Sequence, residues 1–224
     1  MERAAQGQLG RVASAAIVVQ ASPSHPGAKQ VTINAALAPP DKAMFADHVR
    51  VDQTRDGVRV LFGKLHPIDS NQCISAVEIS FPQLAFYNQL YKSLSVPQPD
   101  GRTFLETVDG SLEGFSCDRI SRDLDPVAAY ERVVPIRANY ASIAAHGDDA
   151  AIDFFHIDAP TLHAASQVAD NGFAATPGFR GVIRIVVSLP LLVYFLGKIV
   201  QVAEKIKREH PRVDDFPFLT GAES

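Results

Sequence analysis

His156, Asp158 and His163 are the residues whose types and spacing best suit chemistry. Imidazole and carboxylate are ligands that zinc and iron accept. A metal centre, or an enzyme built on one, is the chemistry this trio would support. The setting points to a plainer role. His156 closes a predicted strand, and His163 opens a stretch rich in Gly, Ala and Asn, where surface loop residues are the usual outcome. The trio stands only as a candidate, and no metal or cofactor is expected.

Other constellations carry less. Gly114-Phe115-Ser116-Cys117-Asp118 holds half of a G-x-S-x-G nucleophile elbow, but it lies outside any strand-to-helix turn. His48 and His66 flank the first predicted hairpin without a clear Ser or Cys partner. Asp56, Asp148 and Asp149 read as turn formers. No phosphate-binding G-x-x-x-x-G-K-[ST] loop occurs, nor a G-x-G-x-x-G after a strand, which excludes nucleotide binding by those routes. Tyr87, Tyr91 and Tyr194 read as core or interface, since the strands lack the aromatic-and-basic alternation of a base-stacking platform. No catalytic residue is assigned.

Composition narrows the classes further. The 224 residues carry 21 Lys and Arg against 25 Asp and Glu, a net charge of −4. That is no footprint for a phosphate backbone, so no nucleic-acid partner is expected. With 46% hydrophobic residues the chain can bury a core. Cys73 and Cys117 belong to no C-x-x-C pair and fit reduced thiols in the cytoplasm. The first residues lack a signal-peptide pattern. The most apolar run, 182–202, is broken by Arg184, Pro190 and Lys198. Its uncharged core falls short of the roughly 20 residues a bilayer span needs, so no membrane insertion is expected.

The elements that would position these side chains come in two similar sets. Val77-Glu78-Ile79-Ser80-Phe81-Pro82 and Ile185-Val186-Val187-Ser188-Leu189-Pro190 each run from an apolar strand through Ser and Pro into a helical pattern. Ser at such a junction can cap orphan N–H groups, and Pro suits the first helical turn. Upstream, Asp47-His48-Val49-Arg50-Val51 corresponds to Asn139-Tyr140-Ala141-Ser142-Ile143, each followed by an Asp- and Gly-bearing turn. The next strands are aligned as 58–63 against 151–156. The fold class expected is α+β, with two tandem β-β-β-α units. Each unit is an antiparallel meander packed by one helix, and an N-terminal β-hairpin precedes them, able to extend the first sheet.

Helical stripes follow both prolines. Leu84, Tyr87, Tyr91 and Leu94 form the first; Leu192, Phe195, Ile199, Ala203 and Ile206 form the second. Leu191, Val193, Tyr194 and Val200 lie off the second stripe, so that helix needs cover on every side at its start. Gly197 within it is either a tolerated glycine or a point of close approach. The chain divides into a hairpin segment 1–43, a repeat unit 44–95, a connector 96–135, a second unit 136–211 with an insertion at 164–180, and a tail 212–224. Phe216 and Phe218 beside Asp214 and Asp215 give that tail an acidic-aromatic character suited to docking.

Asn139-Tyr140, Asp153-Phe154 and Arg184-Ile185-Val186-Val187-Ser188-Leu189-Pro190 resemble a family of small bacterial and archaeal proteins with a domain of unknown function, one unit per chain. The junction around Ile79-Ser80-Phe81-Pro82 resembles that of SecB-type export chaperones, which place an antiparallel sheet before a helix and assemble as oligomers. These resemblances imply the fold, and the second implies a holdase. The expectation is a non-enzymatic protein that binds protein partners or itself. Its interface would be Leu191, Val193, Tyr194, Val200, Phe216 and Phe218. The rival is a metal-binding domain or enzyme using the histidine trio.

Overall fold

β-branched and alternating runs become strands in the computed structural model, which describes residues 17–21, 29–33, 38–65, 67–68, 73–94, 101–104, 106, 133, 135–161, 172–174 and 178–213. The strands are β1 (Ile17–Ala21), β2 (Lys29–Ile33), β3 (Ala43–Phe45), β4 (His48–Thr54), β5 (Gly57–Leu65), β6 (Cys73–Phe81), β7 (Ile136–Arg137), β8 (Tyr140–His146), β9 (Asp149–Ile157), β10 (Gly172–Ala174) and β11 (Phe179–Ser188). A helical segment α1 covers 83–94, and a helix α2 spans Leu189–Glu209. The architecture is mixed α+β, with two four-stranded sheets and a C-terminal helix.

One sheet runs β4-β5-β6-β7 and the other β3-β11-β9-β8. Two-residue turns start the first hairpin of each. Arg55-Asp56 joins β4 to β5, and Gly147-Asp148 joins β8 to β9. Gly147 sits at φ +61°, the left-handed conformation that such turns require and glycine adopts at little cost. Gly57 answers a different need. A Cβ there would overlap the Phe81 carbonyl, so β6 closes over the start of β5 only because position 57 has no side chain.

The third sheet, β10-β1-β2, corrects one expectation. β1 and β2 do pair antiparallel, but the third strand is β10 from the insertion, and the hairpin does not extend the first sheet.

Short strands tie the two large sheets together. β3 pairs parallel with β11, and the chain then crosses Ala46-Asp47 into β4 of the other sheet. β7 pairs parallel with β6, and the chain crosses Ala138-Asn139 into β8. Ala46 N–H donates to Val186 O at 2.9 Å and Ala138 N–H to Ser80 O at 3.0 Å. Strands that switch sheets in this way make corners. The outer strands β4 and β8 are each packed by a helix, β4 by α2 and β8 by α1. Open sheet edges are thus reduced by the fold itself.

The core lies where the two sheets and α2 meet. Phe62 on β5 touches Phe154 on β9, with centroids 5.7 Å apart, and Phe195 on α2, at 5.3 Å. Phe81 on β6 also meets Phe154, edge to face. Burying one such side chain is worth about 2–3 kcal/mol. The inward residues of the second hairpin are Ala150, Ile152 and Phe154, which match Val58, Val60 and Phe62 in role. Aligning 58 with 151 is therefore one residue out, and a one-residue slip exchanges the two faces of a strand.

Helix α2 follows its sequence pattern closely. Leu192, Phe195, Ile199, Ala203 and Ile206 are all fully buried. Ser188 is its N-cap, with Oγ accepting from Leu191 N–H at 3.4 Å, and Pro190 sits in the first turn. The first helix differs. Ser80 lies within β6, opposite Arg59, and the cap position is held by Pro82 without a side-chain cap bond. From Phe86 to Tyr91 the segment is π-helical, and Lys92 N–H reaches Tyr87 O five residues back. That wider turn rotates the faces. Phe86, Tyr87, Asn88, Gln89 and Leu90 are all buried, whereas Leu84, placed on the buried stripe by α-helical spacing, is 45% exposed.

Candidate functional site

His156 sits near the end of β9, directly opposite Arg180 on β11. Arg137, the last residue of β7 before the Ala138-Asn139 corner, acts on His156 through its charge. The corner is pinned by Asn139, whose Oδ1 accepts from Ile157 N–H at 2.8 Å and whose Nδ2 donates to Ile157 O at 2.7 Å. Desolvation lowers the imidazole pKa of His156, and the Arg180 and Arg137 charges lower it further, against an opposing pull from Asp158. Asp158 has a different employment. Its Oδ1 accepts from Thr161 N–H at 2.8 Å, capping the short turn that follows, and these bonds hold its carboxyl below the usual range. Gly178 leaves the room that the Asp158 carboxylate fills. His163 lies outside the described residues. Among the described residues no group of three His, Cys, Asp or Glu side chains gathers as a metal site. Arg180 and Arg137 add positive charge to the surroundings of His156.

The expected interface residues separate. Leu191 belongs to the core, where burial alone accounts for it. Val193, Tyr194 and Val200 are half-buried on the outer part of α2. Lys198 Nζ lies 5.2 Å from the Tyr194 ring centre, a cation–π contact along this face. Gly197 is exposed, and a Cβ there would meet nothing within 4 Å. Among the described residues no other element comes within 4 Å of that position. Phe216 and Phe218 lie outside the described residues.

An apolar groove of about 460 Å³ opens where the start of α1 meets the end of α2. Leu84, Ile206, Pro211 and Val213 give it an apolar lining, and Glu209, His210 and Arg212 stand around it. Gln53 Nε2 donates to Glu209 Oε2 at 2.7 Å and fixes one side to β4. Phe45 at 67% exposure is a further apolar residue left in solvent.

The least anticipated feature is inside α1. Asn88 is 1% exposed, and among the described residues neither its Oδ1 nor its Nδ2 has a hydrogen-bond partner. The neighbouring Gln89 is 4% exposed, and its Oε1 likewise has none among them. Buried amides are normally bonded, and π-turns often accompany function. The only sequence signal was two adjacent amides inside an aromatic helical run. Further along, Thr103 and Glu106 form a capping box, with Glu106 N–H to Thr103 Oγ1 at 3.1 Å and Thr103 N–H to Glu106 Oε2 at 2.8 Å.

Among the described residues no helix is long and apolar enough to cross a membrane. No protein-family model, no curated protein and no solved structure matches the chain.

Proposed function

We propose that this is a non-enzymatic binding or assembly protein of the cytoplasm that associates with a second copy of itself through the outer face of α2. The observation that carries the reading is the open Gly197, flanked at helical spacing by the half-buried Val193 and Val200. A helix interior keeps glycine at a cost of about 1 kcal/mol relative to alanine. Close approach of a second helix gives that cost a reason.

The chain is read here as tandem β-β-β-α units, 44–95 and 136–211, related to the single-unit bacterial and archaeal family. What supports this is the matched use of Asp47 and Asn139 at the two corners and the reciprocal pairing of β3 with β11 and β7 with β6. A SecB-like holdase is the concrete activity considered, with Leu84, Phe45 and the groove as apolar contact for unfolded clients.

Native mass spectrometry of the full chain tests the assembly. A single oligomer that Val193→Asp and Val200→Asp reduce to monomer is the expected result. A wild-type monomer at tens of micromolar (a range in which a specific dimer of about −8 kcal/mol is populated) removes the reading. Suppression of aggregation of a chemically denatured client separates a holdase from a purely structural subunit.

A further inference from the structure

We propose that Arg137, His156 and Arg180 form a binding site for a phosphoryl dianion. Three observations place the site. Arg180 and His156 are register partners across β9 and β11, so their side chains leave the sheet on the same side. Arg137 stands just before the Ala138-Asn139 corner, and Asn139 is bonded twice to the backbone of Ile157, the neighbour of His156. Both arginines are exposed, and among the described residues neither has a hydrogen bond or an ion pair to a carboxylate.

The charge balance of the cluster selects the ligand. Asp158 is the carboxylate acting on His156, and its oxygen is already committed to Thr161. The guanidiniums therefore keep their charge unspent, in a chain whose net charge is −4. Guanidinium forks match phosphate oxygens bidentately, and an imidazole beside them adds a third donor. Desolvation, and after it the charges of Arg180 and Arg137, lower the His156 pKa, and an arriving dianion opposes that shift and favours the protonated imidazole. Proton uptake on binding is thus a signature of this geometry and not of an ordinary surface arginine pair. The positive field that Arg180 and Arg137 set at His156 favours an anion.

The test is a pH titration of the His156 imidazole resonances by NMR in the full chain, assigned by their loss in His156→Gln. It is run in sodium chloride and in inorganic phosphate at matched ionic strength, then with methyl phosphate. The expected result is a saturable shift with a dissociation constant of about 1 mM or tighter. It should raise the His156 pKa, and R137Q/R180Q should abolish it while leaving thermal unfolding at about pH 8, above the imidazole titration, unchanged. Equal binding of both probes points to free phosphate, and tighter binding of methyl phosphate to a monoester; either supports the site. An equal rise in chloride shows screening alone and overturns the proposal, as does a shift that persists in the double variant.

Discussion

Asp47 and Asn139 stand at the two corners where the chain passes between sheets, and each uses Oδ1 in the same way. Asp47 Oδ1 accepts from Leu65 N–H at 2.7 Å, and Asn139 Oδ1 accepts from Ile157 N–H at 2.8 Å. Their own N–H groups donate to Gly63 O and Phe155 O, at 3.1 and 3.0 Å. Only Asn139 can return a bond, from Nδ2 to Ile157 O at 2.7 Å. Asn139→Asp should therefore be worse than its size suggests, because it loses a donor and sets a carboxylate against a carbonyl. A net hydrogen bond is worth about 1 kcal/mol, so Asn139→Ala should cost about 2 kcal/mol and Asp47→Ala about half of that. Urea unfolding of the three variants measures the order, and an Asn139→Asp variant as stable as wild type would contradict the assigned bonds.

The π-turn in α1 makes an opposite pair of predictions for two leucines. α-Helical spacing puts Leu84 in the core, whereas the structure leaves it 45% exposed and buries Leu90 to 1% exposure. Leu90→Ala should cost about 2–5 kcal/mol, and Leu84→Ala about 0.5 kcal/mol or less. Equal losses on thermal unfolding would mean that the helix keeps its α-helical phase.

How far residues alone could reach is clearest from the two helices. α2 obeyed its stripe because Ser188, Pro190 and five apolar positions all demand the same helix, and nothing inside it changes the period. α1 obeyed its stripe only in part: Tyr87 and Leu94 are buried, but Leu84 is exposed, because a π-turn is set by packing against neighbours and leaves no local signature in Phe86-Tyr87-Asn88. The first hairpin was readable from its Arg-Asp turn. The second was misread by one residue, since the Ala150-Ala151 pair fits either face. The corners could not be foreseen at all. β3 and β7 are too short to carry a pattern, and their parallel partners lie far away in sequence. At the histidine candidate the residue types were visible, but Arg137 and Arg180, whose charges act on His156, come from other strands.

Asn88 offers a test of what the buried amides are for. A buried polar group without a partner costs about 1–3 kcal/mol, and an apolar side chain of similar size avoids that cost. Asn88→Leu should therefore raise stability by about 1–2 kcal/mol in denaturant titration. A loss of stability instead would show that the amide is bonded. A gain in stability accompanied by weakened assembly or client binding would assign the amide to function.

The lowered pKa of His156 gives stability a pH dependence of definite sign. The unfolded imidazole, with a pKa of about 6.5, takes up its proton before the folded one does. Stability is therefore full above that value and falls as pH drops through it towards the lower folded pKa. The groups acting on His156 are Arg180 and Arg137, which deepen the effect, and Asp158, which opposes it. His156→Gln should flatten the part of the stability curve between about pH 5 and 7, and R180Q should flatten it partially. Parallel wild-type and His156→Gln curves across that range would show that the imidazole titrates normally.

Gly197 separates the stability of the chain from its assembly. It lies inside a helix that runs from Leu189 to Glu209, on the solvent side, with open space where a Cβ would sit. For the isolated chain, Gly197→Ala should stabilise by about 1 kcal/mol, because alanine has the better helix propensity and meets no obstruction. For an α2-to-α2 contact the same methyl lies at the point of closest approach and holds the helices apart. The predicted outcome is a higher unfolding temperature for the dilute chain together with a weaker association constant by analytical ultracentrifugation. Stabilisation with unchanged association would leave Gly197 as a glycine the helix merely tolerates. It would move the contact surface to the Leu84 groove at the end of α2, where Leu84→Glu is the variant to make next.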